Sequence, residues 1–403
     1  MKKVYSRRSF GRFLLVLSGL FAGGLLGLFK GKEQAIKPSV ASPTRPSASL
    51  FSNAKLQEIL EQEVTSDHVP GLVMYLSTPK GVWSGGAGLR SLETGQQVQP
   101  DDAFSIASTS KTFVAVIVLQ LVGENKIKLD QPIAGYLPKD ISDHLPYSSE
   151  ITVRQLLNHT SGVAEYLSTK GFVNAAKNRD RFHPWTAHEA IQFILDRPPR
   201  DQPGKTFAYT DSNYILLQLI IEGITGATLA EVTRERILNF CGLKHTYTEL
   251  WESPAANVAT GYTVDGAGKL HSQVNVNDGN GLGDGALMST AEDLSKFLHC
   301  LLVEKRLLSP SLLQEMLTFI RKDAGAVFGI SEYTIMGVKG YGLGIEQFNT
   351  PYGEAVGHTG SAYGFVSAML YLRSGDATAI VLANEEGIDP VEIAFDGLKS
   401  VFD

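Results

Sequence analysis

The sequence predicts a mixed α/β (α+β) fold: one antiparallel sheet built from both chain ends, flanked by helices. A mostly helical subdomain is inserted over about 112–284. Two observations carry this. Strand-like runs cluster just after residue 70 and again after residue 340, whereas the middle reads as a series of capped helices. The chain of 403 residues, 43% hydrophobic and 19% charged, also has length and apolar content for a large core.

The elements follow in order. "MKKVYSRRSFGRF" opens with basic residues and runs into an apolar stretch from Phe13 to Phe29. That is the layout of an export signal, and the adjacent Arg7 and Arg8, with Phe10 two residues on, resemble a twin-arginine address. Residues 1–35 are therefore expected to be a signal or membrane anchor. Residues 36–50, rich in Pro and Ser, are expected to be a flexible linker, and 51–403 the folded domain. Ser52 can cap a helix with Leu56, Ile59, Leu60 and Val64 on one face. "GLVMYLST" and "GVWSGGAGL", joined by a turn, predict an antiparallel hairpin. The stretch "KTFVAVIVLQLV" is apolar all round, as in a fully buried helix.

"TVRQLLNHTSG" predicts a short helix ended by Gly162, and "TAHEAIQFILDRPP" another stopped by prolines. "SNYILLQLIIEGITG" reads as a buried helix ending at Gly226. Thr228 and Glu231 then form a capping box for the next helix. "STAEDLSKFLHCLL" starts a further helix. The tail returns to strands in "GYGLGIEQF", "AVGHTGSAYGFVSAMLYL" and "TAIVLANEE". A closing helix has Asp389 as cap and Pro390 in its first turn.

Chemistry concentrates at "STSK". On a helix, residues three apart share a face, so Ser108 and Lys111 are neighbours. A serine at a helix N-terminus meets partial positive charge. Burial disfavours charge on a lysine, and a neutral amine beside a hydroxyl can take its proton, which activates the serine. The second match to the spacing, "STPK" at 77–80, has a Pro inside it and cannot place the pair on a helical face.

Further along stand Tyr209 in "FAYTDSNYILL" and His358, Thr359 and Gly360 in "VGHTGSAYGF". Ordered Ser-Lys, Tyr, then His-Thr-Gly resembles the triple signature of the serine β-lactamase and penicillin-binding protein family. The branch it most resembles holds class C β-lactamases, D-alanyl-D-alanine carboxypeptidases and related esterases. "ITVRQLLNHTSG" and "GDGALMSTAEDLSKF" resemble segments of the same family, and the likeness spans about residues 51–402.

The resemblance implies a β-lactamase/transpeptidase-like fold and a serine hydrolase without a cofactor; the signal-like start places it, once exported, in the periplasm or on the outer face of the cytoplasmic membrane. It would act through an acyl-serine intermediate on peptide-like, lactam or ester carbonyls in the manner of a carboxypeptidase. A class C-type β-lactamase, an esterase or a D-amidase are the alternatives, and a binding protein without turnover is the non-enzymatic one. Ser108 becomes the nucleophile, and Lys111 and Tyr209 share the proton work. The N–H groups of Ser108 and Ser361 form the oxyanion hole. Gly360 lets substrate approach the strand, and Thr359 with His358 faces a substrate carboxylate. His159, in the resembling "NHTSG", is structural.

The second motif departs from the usual Tyr-x-Asn, with Asp211 in place of Asn. A carboxylate only accepts hydrogen bonds. Beside Lys111 it favours the ammonium, moves proton transfer toward Tyr209, and selects esters or amine-bearing peptides over β-lactams. The alternative is that Asp211 only caps the following helix.

The mild acidity, net charge −6, gives no footprint for nucleic acid. Cys241 and Cys300 match no metal-ligand spacing, so no metal is expected. Two buried thiols are the preferred reading and a disulfide the other. Partners are expected to be a small-molecule or peptide substrate; oligomeric state is open.

Overall fold

The structure, a computed structural model, describes residues 52–66, 69–321, 338–362 and 364–403. The expected signal and linker lie outside the described residues.

Near the start, β1 (Gly71–Thr78), β2 (Gly81–Ser91) and β3 (Gln96–Gln97) pair in sequence. A small sheet then joins β4 (Phe104–Ser105), β5 (Tyr247–Thr248) and β8 (Leu287–Ser289), and β6 (Tyr262–Val264) pairs with β7 (Leu270–Ser272). The C-terminal part supplies β9 (Ile320–Arg321), β10 (Val338–Tyr341), β11 (Glu346–Thr350), β12 (Gly353–Ala362), β13 (Phe365–Leu372) and β14 (Ala377–Ala383). The main sheet has nine strands in the order β3-β2-β1-β14-β13-β12-β11-β10-β9. β1 lies against β14, antiparallel, with Leu72 opposite Ala383. The two ends of the chain thus build one sheet, as the sequence predicts.

The central strands are buried on both faces because their side chains alternate. Met74, Leu76, Val381 and Leu370 pack on one side with Leu56 and Leu60 of α1 (Asn53–Ser66) and Val391 and Leu398 of the closing helix Pro390–Phe402. Val73, Ile380, Leu382 and Met369 face the other side, toward α2 (Ser110–Gly123) and the helix Ala291–Leu298. There Phe113 and Phe297 stack with ring centroids 3.7 Å apart. Each fully buried side chain of this size contributes roughly 1.5–3 kcal/mol.

Three expectations need correction. The helix in "TVRQLLNHTSG" is only α3 (Val153–Leu157); it stops at Asn158, and His159 takes a left-handed φ of +58° that turns its ring into the core. "GYGLGIEQF" is two strands, not one. Gly344, with φ +73°, breaks the run where the chain passes over α2, and a Cβ there would meet Ala115 Cβ at 2.4 Å. Cys241 and Cys300 form a disulfide, with Cα atoms 6.2 Å apart, instead of two buried thiols. Cys241 ends a short helix and Cys300 follows Ala291–Leu298, so the bridge ties two neighbouring helical segments.

The bridge closes a loop of 59 residues. Replacing both cysteines by serine is expected to lower unfolding stability by about 2–4 kcal/mol. Denaturant melts of oxidised, reduced and double-serine protein measure this. Identical midpoints together with two titratable thiols in the untreated protein would contradict the pairing.

Candidate active site

The nucleophile stands on a strained turn. Ala107–Thr109 forms a single 3₁₀ turn before α2, and Ala107 has φ +46°, a region that costs an L-residue about 1–2 kcal/mol. Surrounding bonds hold it. Ile106 N–H donates to the Leu287 carbonyl at 3.0 Å, and Ser367 Oγ donates to the Ile106 carbonyl at 2.8 Å. Thr109 Oγ1 donates to the His358 carbonyl at 3.3 Å. The turn thereby packs onto β12. A Cβ on Gly360 would meet Ile106 O at 2.2 Å, so Gly360 makes room for the nucleophile turn.

Lys111 is fully buried, and its Nζ has three acceptors: Ser108 Oγ at 2.9 Å, Asp211 Oδ1 at 2.6 Å and the Asp284 carbonyl at 2.7 Å. These match the three N–H donors of an ammonium. The Tyr209 and Tyr214 rings lie 5.2 and 5.5 Å from Nζ, within cation–π range. Asp211 precedes α4, the buried helix Ser212–Thr225, yet its side chain makes no capping bond. The capping alternative for Asp211 is thus set aside: its carboxylate is spent on Lys111.

Tyr209 is pushed well above its ordinary value of 10.0, by burial first and then by the Asp211 carboxylate, while the Ser108 hydroxyl works the other way. Asp211 therefore opposes a phenolate, which corrects the expectation that it simply passes the base role to Tyr209. Arg200 Nη1 fixes the Tyr209 carbonyl at 2.9 Å, and the ring stacks on His159 with centroids 4.1 Å apart.

Behind that ring runs a directed chain of hydrogen bonds. The Thr359 carbonyl can only accept, so His358 Nδ1 carries a proton. His358 Nε2 then accepts from the Tyr341 hydroxyl at 2.9 Å, and that oxygen accepts from His159 Nε2 at 3.2 Å. His159 Nδ1 accepts from Asn213 Nδ2 at 3.1 Å and from Thr210 N–H at 3.3 Å. Every link is satisfied only if both rings are neutral. Burial pushes His358 down to about 3, and burial and then the Lys111 charge push His159 well below 6.5.

This geometry corrects two further expectations. His358 is 0% exposed and turned toward Tyr341, so it does not face a substrate carboxylate. Thr359 has no proton left for such a carboxylate: its N–H donates to Glu346 Oε2 at 2.8 Å and its hydroxyl to the same carboxylate at 3.1 Å. Ser361 is exposed on β12, immediately beyond the glycine that contacts the nucleophile turn.

Four participants escaped the sequence reading: Glu165, Asp284, Tyr341 and Glu346. Glu346 carried a signal, an acid inside the apolar run "GYGLGIEQF". Asp284 lay within the quoted "GDGALM", and its Oδ2 accepts from Tyr166 at 2.8 Å. Glu165 accepts the Asp211 N–H at 2.8 Å and the Leu167 N–H at 3.0 Å. Burial, then the Asp211 charge, raises Glu165 to about 8 and Asp284 to about 7.

Both groups hold a proton in the folded state that the unfolded chain releases above the ordinary carboxyl range. Their stabilisation is complete at acid pH and is lost as pH rises through about 7 to about 8. Melting temperatures between pH 5 and 9 are expected to fall more steeply for the native chain than for Glu165→Gln. Parallel curves would contradict the assignment.

Known proteins match this arrangement. The family described as Beta-lactamase matches residues 56–398. Protein flp of Staphylococcus aureus (strain MW2) is 24% identical over 251 residues, 61% of this chain and 48% of that protein. The chain thus spans about half the length of the curated relatives it matches. The structure of a D-stereospecific amidohydrolase from Streptomyces sp. is 28% identical with a TM-score of 0.72, covering 86% of this chain and 98% of that one. A D-amino acid amidase from Ochrobactrum anthropi SV3, solved with L-phenylalanine amide, shares the fold at 24% identity and a TM-score of 0.72, over 87% and 98% of the two chains. With the family matched over most of its length and the Ser-Lys-Tyr cluster assembled, the chain belongs to the beta-lactamase family of serine hydrolases.

Proposed function

We propose that this chain is an exported serine amidohydrolase that acylates Ser108 from amides and esters bearing a free amine beside the carbonyl, with D-amino-acid amides as the substrate class. The observation that carries this reading is Lys111 Nζ held between Ser108 Oγ and Asp211 Oδ1. Ser108 Oγ attacks the carbonyl, and its proton passes through the Lys111–Tyr209 pair to the leaving nitrogen. The N–H groups of Ser108 and Ser361 hold the oxyanion. The amine, or the alcohol of an ester, departs with that proton; a water then cleaves the acyl-serine ester, giving the acid and free Ser108.

Asp211, with its side chain 20% exposed, offers an acceptor to a substrate ammonium. An ammonium bound there offsets the Asp211 charge and so removes part of what opposes the Tyr209 phenolate. Substrate binding then readies the base. The Streptomyces amidohydrolase, 28% identical, supports the amide class. The carboxypeptidase-like and β-lactamase readings need a substrate carboxylate at His358 and Thr359, whose polar atoms are engaged with Tyr341 and Glu346. Export is supported by Arg7 and Arg8 before the apolar run and by the Cys241–Cys300 bridge, which suits an oxidising compartment. Arg7→Lys with Arg8→Lys is expected to leave precursor in the cytoplasm; unchanged export would contradict the twin-arginine route.

Ser108→Ala is expected to abolish the acyl adduct seen by intact-mass analysis while the circular dichroism spectrum stays native. Asp211→Asn is expected to lower kcat/KM on D-phenylalanine amide at least about tenfold and to raise labelling by fluorescent penicillin. If neither rate moves and stability drops by a cap-sized amount of about 1 kcal/mol, Asp211 is structural and the reading fails.

A further inference from the structure

We infer that Glu346 reverses the hydrogen-bond polarity of the third motif, so that Thr359 presents an acceptor to the substrate and the site rejects carboxylates. Glu346 sits on β11 opposite Gly357 of β12, which puts its side chain on the same face as Thr359 two residues on. It is 0% exposed and its oxygens lie 3.1 and 3.2 Å from Thr359 Oγ1. A hydroxyl has one proton and two lone pairs. A carboxylate only accepts, so the Thr359 proton points at Glu346 and the lone pairs point away from it. The Thr359 N–H is drawn to the same carboxylate at 2.8 Å, which locks the side chain in this sense.

A substrate carboxylate placed beside Thr359 meets lone pairs and, behind them, the Glu346 oxygens. A substrate N–H or ammonium meets an acceptor. Asp211, bound to Lys111, has the same polarity, since a carboxylate there likewise only accepts. Thr359 and Asp211 thus both select donors on the substrate. Specificity of this kind arises as much from refusing the wrong charge as from binding the right one. Glu346 acts through Thr359 and is a positioning residue.

Glutamine at 346 keeps an oxygen for the Thr359 N–H and adds an amide N–H that can donate to Thr359 Oγ1, which frees the hydroxyl proton to turn toward the substrate. The inference deepens the amine-selective reading of the same site, and its test is read on penicillin acylation, which that reading does not require. Glu346→Gln is expected to raise the ratio of fluorescent-penicillin acylation to D-phenylalanine amide turnover at least about tenfold, as one added bond to a charged group does. Adding Thr359→Val to that variant is expected to erase the gain. An unchanged ratio in folded Glu346→Gln protein, or a gain that survives Thr359→Val, overturns the inference. Thr359→Val alone supplies a second check that does not depend on Glu346→Gln folding: its penicillin acylation is expected to change less than about threefold, and a tenfold loss would show that the hydroxyl already donates to the carboxylate. Absent amide turnover with a raised penicillin rate in Glu346→Gln would sink the substrate class and leave the polarity argument standing.

Discussion

Everything in the site turns on one buried nitrogen. Lys111 Nζ has three donors and three acceptors, and each acceptor comes from a different part of the chain: the nucleophile turn, the second motif and the segment before β8. A buried cation is costly unless it is paired and fully hydrogen-bonded. The fold must therefore deliver Asp211 and the Asp284 carbonyl to within 2.7 Å of the same point, and the helical insertion is what brings them there.

The sheet serves that delivery from the opposite side. β12 runs past the nucleophile turn, and only hydrogen at Gly360 allows the close approach that keeps Ala107 in its left-handed state. The chain from Asn213 through His159, Tyr341 and His358 to Thr359 then joins the second motif to the third without any charge. It has a single direction because a carbonyl closes one end. Interrupting it leaves a buried donor or acceptor unsatisfied, which costs more than the bond itself contributes. Positioning of Tyr209 and of β12 is therefore one problem, solved by neutral groups.

Much of this was legible from local patterns. Alternation and turn chemistry foretold the β1–β2 hairpin, and the caps at Thr228 and Asp389 hold as read. The Ser108–Lys111 contact follows from helical spacing, even though Ser108 sits on the 3₁₀ turn. What escaped depends on tertiary contacts. Nothing local says that His159 turns inward, that Gly360 packs on Ile106, or that Glu346 reaches across a strand pair to Thr359. The bond between Cys241 and Cys300 needs two helical segments brought together over 59 residues. The departure at Asp211 was visible as a letter, and its consequence became clear only with Lys111 at 2.6 Å.

The site holds more acid than its one lysine can balance: Asp211, Glu165, Asp284 and Glu346 all stand close to the Ser-Lys-Tyr cluster. Burial first, and then the Asp211 charge, keeps a proton on two of them near neutrality. An incoming ammonium is the species that relieves this excess. The most direct measurement compares kcat/KM at pH 7 for D-phenylalanine amide and for 3-phenylpropionamide, which differs only by lacking the amine. The account predicts a preference of at least about a hundredfold for the amine, as two charge-assisted bonds give. Equal rates on the two amides would contradict it.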